Sequence, residues 1–423
     1  MTRRTTRIRF AVLAVLSLSL GMAAAGGRAA AASAANREVF YAATGSELAQ
    51  YSVNAADASL TRDGSVTLPF AVQYVWPHPS KKFLYVAWSN GMQGDRHGVT
   101  AFRIDPATGG LSPHGTAIEL RHRPVHLTVD ANATHVLVAY NNPSGISVHD
   151  LKADGTLGTE VKQTGPLDAG IYAHQVRVDP AGRMAILVTR GNGPSAGSPE
   201  DPGAIKVFGY DNGILTTRQS IAPNHGYGFQ SRHLDFHPTG PWIYVTLEVQ
   251  SQLAVFKKTA AADGLDPKPL FIKDTLLDMA NIHHPAQQAG AIHVHPNGRF
   301  VYLTNRASGT KTVDGKPIFE GGENSVAVFS INQQSGEPTL VQRIDTHGMH
   351  ARTFSIDDAG RLLVAANQNA LTVRQGTTDT TVSANLAVFR VNSDGRLEFV
   401  RKYDVATGDG RSLMWAGFLT LPQ

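Results

Sequence analysis

Six stretches of this chain lay over one another: "VQYVWPHPSKKFLYVAWSN", "VHLTVDANATHVLVAYNN", "HQVRVDPAGRMAILVTRG", "RHLDFHPTGPWIYVTLE", "AIHVHPNGRFVYLTNR" and "RTFSIDDAGRLLVAANQ". Each holds an alternating apolar run, a His-Pro or Asp-led pair, a glycine-type turn and a second β-rich run. The turn residues His78, Asp130, Asp179, His237, His295 and Asp357 recur about every 50 to 60 residues. Most units continue into a third run, such as "GVTAFRI", "GAIKVFGY" or "NLAVFRV", then a polar glycine turn and a fourth. Four antiparallel strands repeated at this period make a propeller blade. No stretch reads as a long helix.

The ends of the chain complete the count. "EVFYAATGSELAQYSV" near the N-terminus lacks an innermost strand, and "SLMWAGFLTLP" near the C-terminus resembles one. Pairing them closes a ring and covers its exposed sheet edges. The fold class expected is all-β: a seven-bladed β-propeller of four-stranded antiparallel blades, closed by its N- and C-terminal strands. Six and eight blades are the alternatives.

Residues 1–34 stand apart. Arg3, Arg4, Arg7 and Arg9 precede the apolar run "FAVLAVLSLSLGMAAA", and Ala32-Ser33-Ala34 supplies a small-residue cleavage zone. An export signal is expected at 1–34, followed by one propeller domain at 35–423. Arg3-Arg4 hints at twin-arginine export, and an uncleaved anchor is the alternative. Removing the five leader arginines from the 38 basic residues leaves a near balance against 34 acidic ones. The basic pI therefore carries no argument for nucleic acid. With no cysteine, disulfides, thiolate nucleophiles and cysteine metal sites are excluded.

The repeat gives a register. Five residues before the turn residues stand Gln73, Val125, His174, Arg232, Gly290 and Arg352, at the start of each innermost strand. The second strands end at Ser89, Asn141, Arg190, Glu248, Arg306 and Gln368. Antiparallel neighbours bring the start of one strand beside the end of the next, so all these positions fall around one mouth of the central channel. Arginines there form an anion site, because guanidinium forks match carboxylate and phosphate. His174 and Glu248 add groups that move protons, which arginine cannot. The competing reading is structural: polar residues lining a propeller channel can simply pair with one another. No Ser-His-Asp arrangement is evident. His78, His237 and His295 are explained by turn chemistry, and Trp76, Trp88, Trp242 and Trp415 by packing. His283-His284 lacks a third ligand, so no metal and no cofactor are expected.

At these residues the chain resembles the lactonase family of seven-bladed propellers. That family includes the propeller type of 6-phosphogluconolactonase and the fungal-type 3-carboxy-cis,cis-muconate lactonising enzyme. The resemblance runs from about Val39 to Leu421 and is most specific in the "SRHLDFHPTGPWIYVTLE", "AIHVHPNGRFVYLTNR" and "RTFSIDDAGRLLVAANQ" stretches. It implies catalytic roles for His174 and Glu248 and substrate binding by Arg232 and Arg306; Arg352 is added from the repeat and from the family's Pro-Arg motif in that blade. Three departures stand out. Gln230-Ser231 replaces the family's usual Gly-Pro. Arg190 stands where an acid is common. Insertions at "GNGPSAGSPEDPG", "GTKTVDGKPIFEGG" and "TVRQGTTDTTVS" follow second strands and are expected over the mouth. The resemblance implies a lactonase that hydrolyses a small anionic lactone; the leader, a further departure from the family, adds export to the periplasm or beyond, and a closed ring suits a monomer, with no nucleic acid or membrane partner expected. A carboxymuconate-type cyclase and a non-catalytic binding propeller are the alternatives.

Overall fold

The computed structural model describes residues 37–194, 198–408 and 410–422. The expected export signal lies outside the described residues. Seven antiparallel sheets form the blades of a propeller, six of four strands and one whose outer edge is divided between two short strands. Blades 1 to 6 begin with the innermost strands Ala71–Pro77, Pro124–Val129, Ala173–Val178, Ser231–Phe236, Gln288–Val294 and Met349–Ile356. Each then runs outward in sequence order. Blade 7 is the composite one. Its innermost strand, Leu413–Thr420, pairs antiparallel with Glu38–Thr44, from Glu38 against Thr420 to Ala43 against Trp415. The ring is closed by the two ends of the chain, as the repeat implies, and the blade number is seven.

Two details differ from the simple repeat. Blade 1 has a divided outer edge, with Leu111–Pro113 and Ile118–Leu120 both pairing with His97–Ile104. Blades 5 and 6 each carry an added hairpin after the second strand, Thr310–Val313 with Lys316–Phe319 and Leu371–Gln375 with Thr378–Val382. These are the insertions foreseen at the mouth end. Arg374 ties the hairpins together, donating to Asp314 at 2.6 Å.

Apolar residues on the blade faces build a core between blades rather than at the centre. Seven clusters occur among the described residues, one for each blade interface. Met184, Ile186 and Val188 of blade 3 meet Leu234, Ile243 and Val245 of blade 4, for example. The closing blade uses both faces. Val39 and Tyr41 pack on blade 1, and Phe40 and Ala42 on blade 6. Alternation along one strand therefore serves two cores.

Hydrogen bonds pin each blade to the next. The buried hydroxyls of Tyr41, Tyr85, Tyr244 and Tyr302 donate to the carbonyls of Gly109, Gly155, Gly336 and Gly395 in the following blades, at 2.6 to 3.0 Å. The turn histidines of blades 4 and 5 do the same. His237 Nε2 donates to the Gly298 carbonyl (2.8 Å), while its Nδ1 accepts the Gly240 amide (2.7 Å). Gly298 has φ +71°, and a Cβ there would lie 2.8 Å from the His237 ring. Asp179 plays the turn role in blade 3, accepting the amides of Arg183 and Met184. These recurring residues shape turns and joints, as expected.

Tyr302→Phe should cost about 1 kcal/mol in chemical unfolding, because it orphans a buried carbonyl without opening a cavity. Ring closure should also be pH-dependent. Glu38 is pushed up to about 7 by burial and by the Asp357 carboxylate of blade 6. The folded chain holds a proton that the unfolded chain releases, so this stability is present at low pH and lost as pH rises through about 7. Glu38→Gln should flatten the fall in melting temperature over that window.

Candidate active site at the channel mouth

Each innermost strand carries a β-bulge near its start. In blade 4, Ser231 pairs with Leu247 and His233 with Thr246, leaving Arg232 as the extra residue. The same slip leaves Gln73, Val125, His174 and Arg352 unpaired in blades 1, 2, 3 and 6. It falls across Gly290 in blade 5 and on Met414 in blade 7. A bulge bends its strand and re-aims a side chain. The positions counted back from the turn residues are the bulge positions. Local polar groups hold the bulge in blade 4: Thr246 Oγ1 accepts the His233 amide (3.2 Å), and Ser231 Oγ donates to the Ala204 carbonyl (3.0 Å).

Glu248 is the hub. Its backbone amide donates to the Gln230 carbonyl at 2.8 Å, which fixes the end of the second strand beside Arg232. Oε2 accepts from Arg190 Nη1 at 2.7 Å. Oε1 accepts from Arg306 Nη2 and pairs with Arg232 Nε at 2.8 Å. Arg232 is 1% exposed and Glu248 3%. Burial alone would raise the carboxyl, but Arg306, Arg232 and Arg190 hold it below the usual carboxylate range. Glu248 is thus ionised, with both oxygens engaged.

The arginines outnumber it. Arg352 is pushed down to about 9 by burial and by the positive charge of Arg232 and Arg123. Burial, then Arg232, lowers Arg306 as well. Arg232 Nη1 and the Nε atoms of Arg190, Arg232, Arg306 and Arg352 are buried without a hydrogen-bond acceptor among the described residues, so the Arg232–Glu248 contact is an ion pair. Four guanidiniums around one carboxylate, with unmet donors, make a strong anion-binding field. Arg190 also stacks over Tyr172, 4.2 Å from the ring centroid.

His174 stands beside this group. Its ring lies 5.1 Å from His233, and burial followed by Arg232 pushes it well below the ordinary imidazole range. It is therefore neutral, and its Nδ1 is buried without a partner. No hydrogen bond joins it to Glu248 among the described residues. Deeper in the channel, His126 is fully buried with both nitrogens unpartnered, and its ring is 4.0 Å from that of Tyr74.

Of the residues singled out in the sequence, Arg232, Glu248 and Arg306 are in direct contact, Arg352 acts on Arg306 through its charge, and the arginines act on the neutral His174. Three further residues belong to the cluster: Arg190, His350 and Gln230. Arg190 occupied a register position, yet its partner Glu248 lies one blade away. His350 and Gln230 each precede a bulge arginine by two residues, an offset that the strand count did not follow.

A model of the seven-bladed β-propeller lactonase family matches residues 38–382. The 6-phosphogluconolactonase of Bacillus subtilis (strain 168) is 29% identical over 301 residues, covering 70% of this chain and 76% of the relative. The protein of the same name from Pectobacterium carotovorum subsp. carotovorum (strain PC1) is 27% identical over 367 residues, covering 86% and 93%. Among solved structures, the periplasmic gluconolactonase of Pseudomonas aeruginosa superposes with a TM-score of 0.69 over 91% of this chain and all of its own, at 20% identity. That likeness is one of fold.

Glu248→Gln leaves three buried guanidiniums without their counter-charge. Breaking a buried pair in this way costs about 3–5 kcal/mol, so a marked drop in melting temperature is expected. Inorganic phosphate should restore part of it, and should stabilise the unmodified protein more than chloride at equal ionic strength. Thermal melts in the two salts check both effects.

Proposed function

The chain belongs to the seven-bladed β-propeller lactonase family, and from that premise we propose that it hydrolyses an anionic lactone at the channel mouth. One observation carries the reading: four guanidiniums with unmet donors surround a single carboxylate, next to a neutral imidazole with a free nitrogen. A pure anion receptor needs the arginines but not the imidazole. The names of the Bacillus and Pectobacterium relatives support a sugar-acid lactone, with 6-phosphogluconolactone first to be tried. The leader at residues 1–34 supports export, and a closed ring supports a monomer.

In this proposal Arg232, Arg306 and Arg352 hold the substrate's permanent anion. His174 takes a proton from water as the water oxygen attacks the lactone carbonyl carbon. The ring C–O bond then breaks, and the leaving oxygen takes that proton back. Glu248 orients the arginines and is the second proton acceptor of the site, held ionised by three cations. The same residues run in reverse would close a lactone on a polycarboxylate, so both directions belong in the assay.

The test is lactone opening by pH-stat with the chain from residue 35, using 6-phosphogluconolactone, gluconolactone and muconolactone-type acids. His174→Ala should lower kcat about 10²- to 10⁴-fold near neutral pH. Arg352→Ala should act mainly on KM. Activity should fall only at pH below the ordinary imidazole range, because His174 resists protonation. A folded protein that opens none of these lactones, and closes none, would instead be a binding propeller.

A further inference from the structure

Blade 6 enters the channel through a constrained turn. "THGMHAR", residues 346–352, holds two non-glycine residues in left-handed backbone, His347 (φ 56°) and His350 (φ 58°). Such backbone persists where surroundings over-determine it, and it collects at functional sites. Here three asparagines fix it. Asn367 Nδ2 donates to the Thr346 carbonyl (2.8 Å) and Asn385 Nδ2 to that of His347 (3.1 Å). Asn324 Oδ1 accepts the His350 amide (2.8 Å) and also the amide of Ala307 (3.0 Å). One side chain thus locks His350 to the residue that follows Arg306.

The ring of His350 meets Arg306. Arg306 Nη1 lies 2.6 Å from His350 Nε2. A guanidinium has only donors, so Nε2 must accept. The proton of the neutral ring is then on Nδ1. That atom is buried with no partner among the described residues. It sits in the field of Arg306, Arg352 and Arg232, which together with burial keep the ring uncharged. An unmet buried donor is costly, and native structures rarely keep one without a use.

We propose that His350 is a substrate-contacting residue, and that its Nδ1–H donates to the carbonyl oxygen of the lactone. This rests on the hydrolase reading above. As the water oxygen bonds to the carbonyl carbon, the π pair moves onto the carbonyl oxygen. His350 meets that growing charge with a hydrogen bond and keeps its proton. The proton lost by water goes to His174 and then to the leaving ring oxygen, so no proton passes through His350. The division of labour follows from charge. Arginines grip a permanent anion equally in the ground and transition states. A neutral donor gains most where charge develops, and only that difference raises kcat.

Two variants separate the two ring nitrogens. His350→Gln places an amide oxygen near the Nε2 position and keeps an acceptor for Arg306, but has no donor at Nδ1. His350→Asn places its amide nitrogen near the Nδ1 position and loses the acceptor. The proposal expects kcat of His350→Gln to fall about 10²-fold with KM changed only a few-fold. His350→Asn should retain clearly more kcat than the glutamine variant. If His350→Asn loses as much or more, or if His350→Gln turns over like the unmodified protein, His350 only positions Arg306 and the proposal falls. The ring can be read without turnover: ¹⁵N-histidine NMR, assigned with either variant, should show the Nδ1–H tautomer at neutral pH. An Nε2–H or doubly protonated ring overturns the proposal. An unmodified protein inert on every lactone overturns the hydrolase reading itself, an outcome distinct from variants that fail to differ.

Discussion

One unpaired residue in each innermost strand sets what this fold can do. A regular strand would alternate its side chains between two blade interfaces. The bulge breaks that alternation once per blade, and in blades 3, 4 and 6 it falls on His174, Arg232 and Arg352. Around the ring those positions hold Gln73, Val125, His174, Arg232, Gly290, Arg352 and Met414. Blades 7, 1 and 2 contribute a methionine, an amide and a valine. Blades 3 to 6 supply the charge, reinforced by Arg190, Glu248 and Arg306 from the ends of the second strands. Most of the charge lies on one arc, joined by Arg123 from just before the innermost strand of blade 2.

Glu248 makes the cationic arc possible. Burial first, and then the charge of neighbouring arginines, lowers the affinity of Arg232, Arg306 and Arg352 for protons. The carboxylate offsets part of that loss by accepting from Arg190 and Arg306 and pairing by charge with Arg232. It does not offset all, and the donors left over can be satisfied by water or by an anion. Binding and stability are therefore coupled at one spot, so a ligand that completes the charge balance also tightens four blades. The same packing leaves His174 and His350 neutral, which lets imidazoles beside arginines accept or donate without competing for the anion.

Much of this was legible because the repeat carries its own ruler. The distance from a turn residue to the bulge is constant in blades 1 to 6, so counting back five places finds Arg232 and Arg352 without knowing that a bulge exists. The seventh position, Met414, escaped because the last strand has no His-Pro or Asp-led turn to count from. His350 escaped for another reason. It lies at the very start of the Met349–Ile356 strand, in backbone whose left-handed residues are not glycines, so no turn pattern marks it. The partnership of Arg190 with Glu248 crosses a blade boundary, and a repeat aligns equivalent positions without saying which neighbours touch. The tyrosine pins are similar: the tyrosines and the turn glycines are visible separately, but their pairing is set by how one blade leans on the next.

The composite blade has a kinetic consequence. Its innermost strand pairs with the first strand of the propeller, so the contact of Glu38 with Thr420 spans almost the whole described chain. Six blades can form from local hairpins as the chain lengthens, but the ring cannot shut until residues 413–420 are available. Until then Glu38–Thr44 presents an unpaired edge, and blades 6 and 1 lack the part of their facing surface that residues 413–420 supply. The loop entropy of that final closure is carried by one step, late and non-local. The seal is therefore the natural place for a slow folding phase, and an interval in which the open edges can find another chain instead of each other.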